Sequence, residues 1–532
     1  MKKQTLAYSE IRFFSPLIKD YMAKSAGLRP FYLNGTTLED FKSQIAVKQD
    51  FSMANRQVLV KSLKAQYTNI DTSELTKQHI ESLLEPNTFT ITTGHQLNLF
   101  TGPLYFLFKI VSAINLAKEL KVAYPEQNFV PVYWMASEDH DFDEINYFNF
   151  KGKKVQWNRV ASGAVGELDT KGLEQVFQLF KNQLGLSNNA KTLTKLFKNA
   201  YLEHSNLADA TRYIANFLFK DYGLVVVDAN FKSLKQLFIP SIKQELEQQV
   251  SFANVTKTSK ALGALNSDYK IQVNPREINL FYNHKNLRER IVFKDGNYNV
   301  LNTKLTFSKA EILKEVETNP QHFSPNVILR PLYQEQILPN LCYIGGGGEL
   351  AYWFQLKQNF EAFNTPFPIL LMRNSVLLQS KVQANKMSKL DISPKQLFLK
   401  QIDLVEEKVK TISKIRIDFS SQKLQLEKQF KDLYEIAKQT DASFIGAVAA
   451  QERKQIKGIE YLEQRLLKAQ KRKLKTEVDR ITELQNQLFP NQSLQERQAN
   501  FSEFYLEYGE LLIPSLIESL NPLDLEFSII TL

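Results

Sequence analysis

Three stretches of this 532-residue chain concentrate side chains that can do chemistry. The first, Thr92–Tyr105, reads TTGHQLNLFTGPLY and sets His95, Gln96 and Asn98 behind a glycine that allows a tight turn. An imidazole and two amides supply donors and acceptors for a polar substrate. Thr101 stands where it would cap a following helix, whose free N–H groups favour an anion. The second, Val132–Asn146, reads VYWMASEDHDFDEIN: an apolar run, then Ser137, then five acids and one histidine between Glu138 and Glu144. Asp141 and Glu144 have the spacing of a capping box, which gives two of the acids a structural use. Glu138, Asp139 and His140 are not needed for capping. Carboxylates crowded against an imidazole raise its pKa, so this trio is the candidate catalytic group, as a general base or an ammonium site. The same acids could hold a hydrated Mg²⁺. A protein-held zinc is not expected, because no thiol or second histidine stands at ligand spacing.

The third stretch, Tyr343–Trp353, reads YIGGGGELAYW. Its glycines let backbone approach a ligand closely at a helix start, although it is neither a Walker loop nor a GxGxxG fingerprint. Upstream, VILRPLYQEQILP supplies Arg330 and Gln334. The arginine suits a carboxylate or phosphate, or equally a salt bridge.

These stretches need elements that bring them to one place. Apolar runs at 88–94, 128–137, 222–230, 340–349 and 367–373 predict strands buried on both faces, the condition of a parallel sheet. Thr101–Lys121 predicts a helix between the first two. Strand–helix alternation implies an open α/β sheet, in which ligands sit beyond the carboxyl ends of the strands. All three stretches fall at such ends. Residues near 151–200 and 251–324 break the rhythm and are expected to be insertions that build a wall beside the sheet.

After Arg373 the texture changes, which divides the chain into a core over 1–376, a helical domain over 377–490 and a C-terminal segment over 491–532 that packs back on the core. Leu426, Phe430, Leu433 and Ala437, then Ile459, Leu462, Leu466 and Ala469, follow heptad-like spacing, resumed by Val478, Ile481 and Leu488. Two such segments separated near Thr440–Ala442 predict an antiparallel hairpin stopped by Pro490. The closing LNPLDLEFSIITL alternates as an edge strand would.

The composition is that of an ordinary globular protein, with 43% hydrophobic and 23% charged residues. One cysteine, Cys342, excludes an intrachain disulfide and reads as a buried small hydrophobe. Met1–Tyr21 has no apolar h-region, and no run reaches membrane-spanning length, so a cytoplasmic protein is expected. Much of the +10 formal charge lies in Arg453–Lys475, with nine Lys/Arg against two Glu, which is expected to be the solvated face of a long helix. The NKMSKL at Asn385–Leu390 lies in a helical, lysine-rich setting and is read as a chance match to a synthetase loop.

Taken together, TGHQLNLFTGPLYFLFKI, PVYWMASEDHDFDEIN and RPLYQEQILPNLCYIGGGGELAYW resemble the bacillithiol-biosynthesis cysteine-adding enzymes, the BshC family, as do GLVVVDANFKSLKQLF and NPLDLEFSIITL. The family often has Gln at the position of His95 and Gly-Gly-Pro-Gly at Gly345–Gly348. The resemblance implies a Rossmann-like, nucleotidyltransferase-like core with connective insertions, a coiled-coil domain and homodimers. It implies a ligase that adds cysteine to the amino group of glucosaminyl-malate, with ATP and Mg²⁺ as the simplest means of activation. On this reading Glu138, Asp139 and His140 are catalytic. Substrate contacts are expected from His95, Gln96, Asn98, Thr101, Tyr105, Ser137, Arg330, Gln334, Gly345, Gly346, Gly348, Glu349 and Tyr352. The alternatives are another nucleotidyltransferase-like amide-forming enzyme, or an RNA-associated or scaffold protein working through its basic coiled coil. Clustered polar residues at strand ends favour an enzyme, and neither membrane nor nucleic acid is an expected partner.

Overall fold

In the computed structural model, which describes residues 2–532, the five apolar runs form β1 (Thr88–His95), β2 (Asn128–Met135), β3 (Val225–Asp228), β4 (Asn340–Gly345) and β5 (Ile369–Met372). They pair as one fully parallel sheet in the order β5-β4-β1-β2-β3. Every residue of β1 is buried, as a strand covered on both faces requires. β1 and β2 run level from Thr88↔Asn128 to His95↔Met135, so their carboxyl ends open together. The order reverses between β1 and β4, which creates the crevice where ligands of doubly wound sheets bind. The expected Rossmann-like core is therefore present.

The helix after β1, α1 (Tyr105–Ala123), is buried along most of its length. It begins later than its sequence suggests. Leu99–Thr101 is a 3-10 turn, and the N-cap position is Leu104, without a side-chain cap. Thr101 is thus not a cap: φ is +48° at Phe100, +67° at Thr101 and +62° at Gly102, a left-handed run that cannot begin an α-helix. Three further helices position side chains near the sheet: α2 (Lys232–Gln236), α3 (Leu329–Ile337) and α4 (Gly347–Trp353).

The segment from Leu280 to Pro325 forms an antiparallel five-stranded sheet. The helices Leu173–Leu184 and Asn188–Leu202 instead place Phe180 and Phe197 against Phe100, backing the 3-10 turn. The closing strand, Glu526–Thr531, is not an edge. It lies between Lys2–Ala7 and Val376–Gln379 in a separate three-stranded sheet, because Phe527, Ser528, Ile529 and Ile530 are all buried and need cover on both sides.

The chain divides into two compact units, one reaching to Leu378 and resuming over Leu494–Ile530, the other spanning Gln379–Ser493 with Thr531–Leu532. The second unit is helical: α5 (Gln401–Ile412), α6 (Ser420–Ala437), α7 (Ala442–Lys473) and α8 (Lys475–Leu488). α6 and α7 form the antiparallel hairpin, with Phe430, Ala437 and Val448 at its centre. Its register is marked by Tyr434 donating to Glu452 at 2.8 Å and by a 3.0 Å Lys423–Glu463 pair. Leu433 and Leu462 face outward, 43% and 56% exposed, so the seam is narrower than the leucine spacing implies. The second segment is not one helix up to Pro490. It breaks at Leu474, and α8 packs back on α5, while Gln485 donates to the carbonyls of Leu397 and Leu399 just ahead of α5. The KMSK tetrad within NKMSKL lies on the helix Lys381–Lys389 with Met387 buried. Among the described residues no helix is long and apolar enough to cross a membrane.

Replacing residues 428–458 by a short glycine linker would join Glu427 to Ile459 across the hairpin register. The first unit is expected to unfold with an unchanged main transition. Loss of that cooperative transition, followed by circular dichroism, would show that the hairpin tip supports the core.

Candidate active site

A cavity of about 920 Å³ opens beyond the carboxyl ends of β1, β2, β4 and β5. Gly94 is inside β1 rather than in a turn, and its missing Cβ matters for another reason: one placed there would lie 3.1 Å from the Tyr343 hydroxyl. From α1, Lys109 reaches back to donate to the Gly94 carbonyl at 2.6 Å and pairs with Glu349 at 2.8 Å. Burial pushes the Lys109 ammonium down, and Glu349 offsets this only in part. Burial alone would push the Glu349 carboxyl up. The Lys109 charge and the Gly346 N–H, at 2.8 Å, outweigh it and hold that carboxyl below its usual range. The start of α4, expected to receive a ligand anion, is therefore already taken by Glu349.

Arg330 on α3 is the best-supported cation of the cavity. Its guanidinium lies 5.5 Å from the Tyr343 ring and 5.9 Å from those of Trp134 and Trp353. It donates to Gln334 at 3.1 Å and to the Tyr352 hydroxyl at 3.3 Å. Gln334 itself is fully buried and does not line the cavity, so it orients Arg330. Arg373, just after β5, lies over the Tyr105 ring at 5.0 Å and grips Glu496 through both terminal nitrogens, at 3.1 and 2.7 Å. Its Nε is buried without a partner.

The acid cluster is not bare. Glu138 makes a buried ion pair with Lys235 of α2, which also donates to the Phe323 carbonyl at 2.9 Å. Burial drives the Lys235 ammonium down, against the pull of Glu138. One amide nitrogen, Nε2 of Gln96, donates to Asp139 at 3.0 Å and to Glu144 at 2.8 Å. Burial would raise the Asp139 carboxyl, but hydrogen bonds from His140 and Gln96, helped by the Arg288 charge, hold it far below the usual range. His140 Nδ1 lies 2.6 Å from Arg288 Nη1. A guanidinium can only donate, so in this arrangement Nδ1 accepts and the ring carries its proton on Nε2. The ring expected to stand among carboxylates is thus bonded to an arginine from the inserted sheet. Asp141 does cap its short helix, accepting from Glu144 N at 3.2 Å. Glu144 does not return the favour: its side chain points to Gln96 and lines the cavity.

The cavity thus brings together His95, Gln96, Tyr105, Glu138, Asp139, His140, Arg330, Gly346, Gly348, Glu349 and Tyr352. It does not gather Asn98, Thr101, Ser137, Gln334 or Gly345. Asn98 pins the Glu144 carbonyl at 3.2 Å, and Ser137 bonds Asp228 at the end of β3. Thr101 contributes its carbonyl to His95, and Gly345 closes β4. Sequence reasoning missed Lys109, Arg288 and Arg373. Lys109 had a signal, a lone charge within the apolar FLFKIVSAIN, and Arg373 ends the strand FPILLMR. Arg288 had none.

Seven cationic side chains line the cavity, against four acids. Among the described residues no group of three or more His, Cys, Asp or Glu is arranged to hold a metal ion. The donor set therefore fits an anionic ligand, a carboxylate or a phosphate.

His95 is buried between the Tyr105 and Phe106 rings. Burial first, then the Lys109 charge, push its imidazole down to about 3. An unfolded histidine titrates near ~6.5. Between those values the unfolded chain binds the extra proton, so stability rises with pH there, by up to about 1.4 kcal/mol per unit. This contribution is complete above about pH 6.5 and is lost as the pH falls toward 3. His95→Gln should flatten that part of the stability curve, measured by urea unfolding from pH 7 to 5. Parallel curves for the two proteins would contradict it.

Comparison with known proteins adds the family. Residues 1–374 match the description "Bacillithiol biosynthesis BshC, N-terminal Rossmann-like domain", and residues 376–532 match the C-terminal coiled-coil domain of the same description. A relative from Flavobacterium johnsoniae is 57% identical, covering all of both chains. One from Cytophaga hutchinsonii is 38% identical over 96% of this chain and 95% of its own. One from Bacillus cereus is 28% identical over 94% and 95%. Each is named "Putative cysteine ligase BshC".

Proposed function

The chain belongs to the bacillithiol biosynthesis BshC family of ligases, and we propose that its cavity joins the carboxyl group of cysteine to the amino group of glucosaminyl-malate, the last step of bacillithiol formation. The observation that carries this reading is the excess of cations around one crevice at the switch point of a Rossmann-like sheet. Both substrates carry carboxylates: malate brings two and cysteine one. Arg330, with donors left beyond Gln334 and Tyr352, is the anchor for one of these groups, and Lys109 and Arg373 set the local potential.

Joining a carboxylate to an amine expels water and is uphill, so the carboxylate must first be activated. ATP with Mg²⁺ would supply that activation, by placing a phosphoryl or adenylyl group on the carboxyl oxygen. The cationic lining suits its phosphates. Asp139 and Glu144 are the carboxylates nearest to hand for an ion that keeps most of its ligands from phosphate and water. On the amine side, Asp139 stays ionised and His140 presents an N–H, while Glu138, tied to Lys235, positions the loop that carries both. The core resemblance favours AMP and pyrophosphate over ADP as the nucleotide products. Homodimers and a cytoplasmic setting belong to the same reading. The exposed Leu433 and Ile436, three residues apart on the hairpin's first helix, offer a second copy an apolar contact.

Purified protein given cysteine, glucosaminyl-malate, Mg²⁺ and ATP should form bacillithiol. Cells lacking the gene should lose bacillithiol and accumulate glucosaminyl-malate. Normal bacillithiol in such cells, with no second enzyme present, would sink the reading.

A further inference from the structure

We infer that His95 is a fixed, uncharged hydrogen-bond acceptor for the neutral amine of the substrate, its tautomer set by a strained turn clamped from Asn500. The inference rests on the functional reading above and names which form of the amine the site receives.

The ring's tautomer is set by one contact. His95 Nε2 lies 3.2 Å from the Thr101 carbonyl. A carbonyl only accepts, so Nε2 carries the proton and Nδ1 does not. Among the described residues no group pairs with Nδ1, on a residue that lines the cavity. Rings on two sides, Tyr105 at 5.5 Å and Phe106 at 5.1 Å, leave the imidazole little freedom to flip.

The Thr101 carbonyl is itself held at a cost. Phe100 and Thr101 both take left-handed φ values without being glycine, a conformation that persists only where the surroundings over-determine it. The surroundings here are specific. Asn500 Nδ2 donates to the Phe100 carbonyl at 2.9 Å and to the Gly102 carbonyl at 2.6 Å, while the Tyr201 hydroxyl accepts from Phe100 N at 2.7 Å. Asn500 and Tyr201 thereby aim the acceptor that fixes the imidazole.

The charged groups facing the ring are Lys109 and Arg373, with Glu349 opposing them. The charges of these two cations on the ring disfavour a bound ammonium. A neutral amine meets no such repulsion and can donate one N–H to Nδ1 while keeping its lone pair for attack. Only the neutral form is a nucleophile, so the binding preference and the chemistry select the same species. His95 is then no general base: it holds a hydrogen bond and takes no proton.

The test is ¹⁵N NMR of the histidine rings in the full chain, with the His95 signals identified by their loss in His95→Gln. We expect an Nε2–H tautomer that does not titrate from pH 5.5 to 8.5, and an Nδ1 shift that moves when glucosaminyl-malate is added. In turnover, His95→Ala should lower kcat/KM for the amine substrate about 10-fold, the loss of one hydrogen bond. His95→Gln, which keeps a neutral acceptor, should lose less, and Asn500→Ala should let the ring exchange between its Nε2–H and Nδ1–H tautomers. A ring that titrates in the wild type, or an Nδ1 signal that stays still while other cavity signals respond to the substrate, overturns this inference and leaves the functional reading standing. No response to glucosaminyl-malate anywhere in the cavity would overturn both.

Discussion

Glu496→Ala will destabilise the core by about 3–5 kcal/mol, the usual cost of stranding a buried charge. The Glu496 carboxylate is wholly buried and accepts from both terminal nitrogens of Arg373, from the Ser375 hydroxyl at 3.3 Å and from Val376 N at 2.9 Å. Removing it leaves a guanidinium at 2% exposure with no counter-charge, beside an Nε that is already unpaired. Glu496→Gln should cost less, because an amide still accepts. Arg373→Met combined with Glu496→Leu should recover much of the loss, since a buried ion pair replaced by apolar side chains is often near neutral in stability. Urea unfolding of the four proteins decides it. A loss under about 1 kcal/mol for Glu496→Ala would mean that the pair is not desolvated as the geometry requires.

Arg330→Met will reduce kcat/KM by about 10²-fold with a smaller effect on the melting temperature. Charge-assisted hydrogen bonds are worth roughly 1.5–3 kcal/mol, and the upper half of that range corresponds to this fall. Methionine keeps much of the apolar contact with Trp134, Tyr343 and Trp353 while removing the donors. Arg330→Lys is expected to restore little, because an ammonium has neither the planar fork nor the face that three rings now cover. Steady-state kinetics with cysteine and glucosaminyl-malate varied in turn will show which substrate Arg330 holds. Unchanged kinetics for both would remove Arg330 from the site.

The five sheet strands were legible in the sequence because burial on both faces leaves little but apolar side chains, as in VVVD and ILLM. The glycine run and the acid stretch were legible as strand ends for the same reason. What stayed hidden are partners distant in the chain. Nothing near Glu138 announces Lys235, and nothing near Arg373 announces Glu496, which lies 123 residues away. The acids therefore read as a free cluster, when Lys235, Arg288 and Gln96 already engage them. Thr101 misled because Ser/Thr-Gly-Pro before an apolar run is good capping grammar. The left-handed turn that overrides it is held by Asn500 and Tyr201, which no local pattern supplies. On the second unit, leucine spacing located the hairpin but not the break at Leu474, where α7, already paired with α5 through Lys471 and Glu406, gives way to α8.

The strand Glu526–Thr531 lies between two strands made much earlier in synthesis, Lys2–Ala7 and Val376–Gln379. At roughly 5–20 residues per second, Val376–Gln379 waits on the order of ten seconds for its neighbour, and Lys2–Ala7 waits longer still. Throughout that interval both present unpaired backbone edges, the surfaces most prone to pairing with a foreign chain. The hazard is greatest in the nascent protein, because the closing strand later covers one edge of each. Yields of soluble protein should therefore respond to translation speed and chaperone supply more steeply than the stability of the native state would suggest.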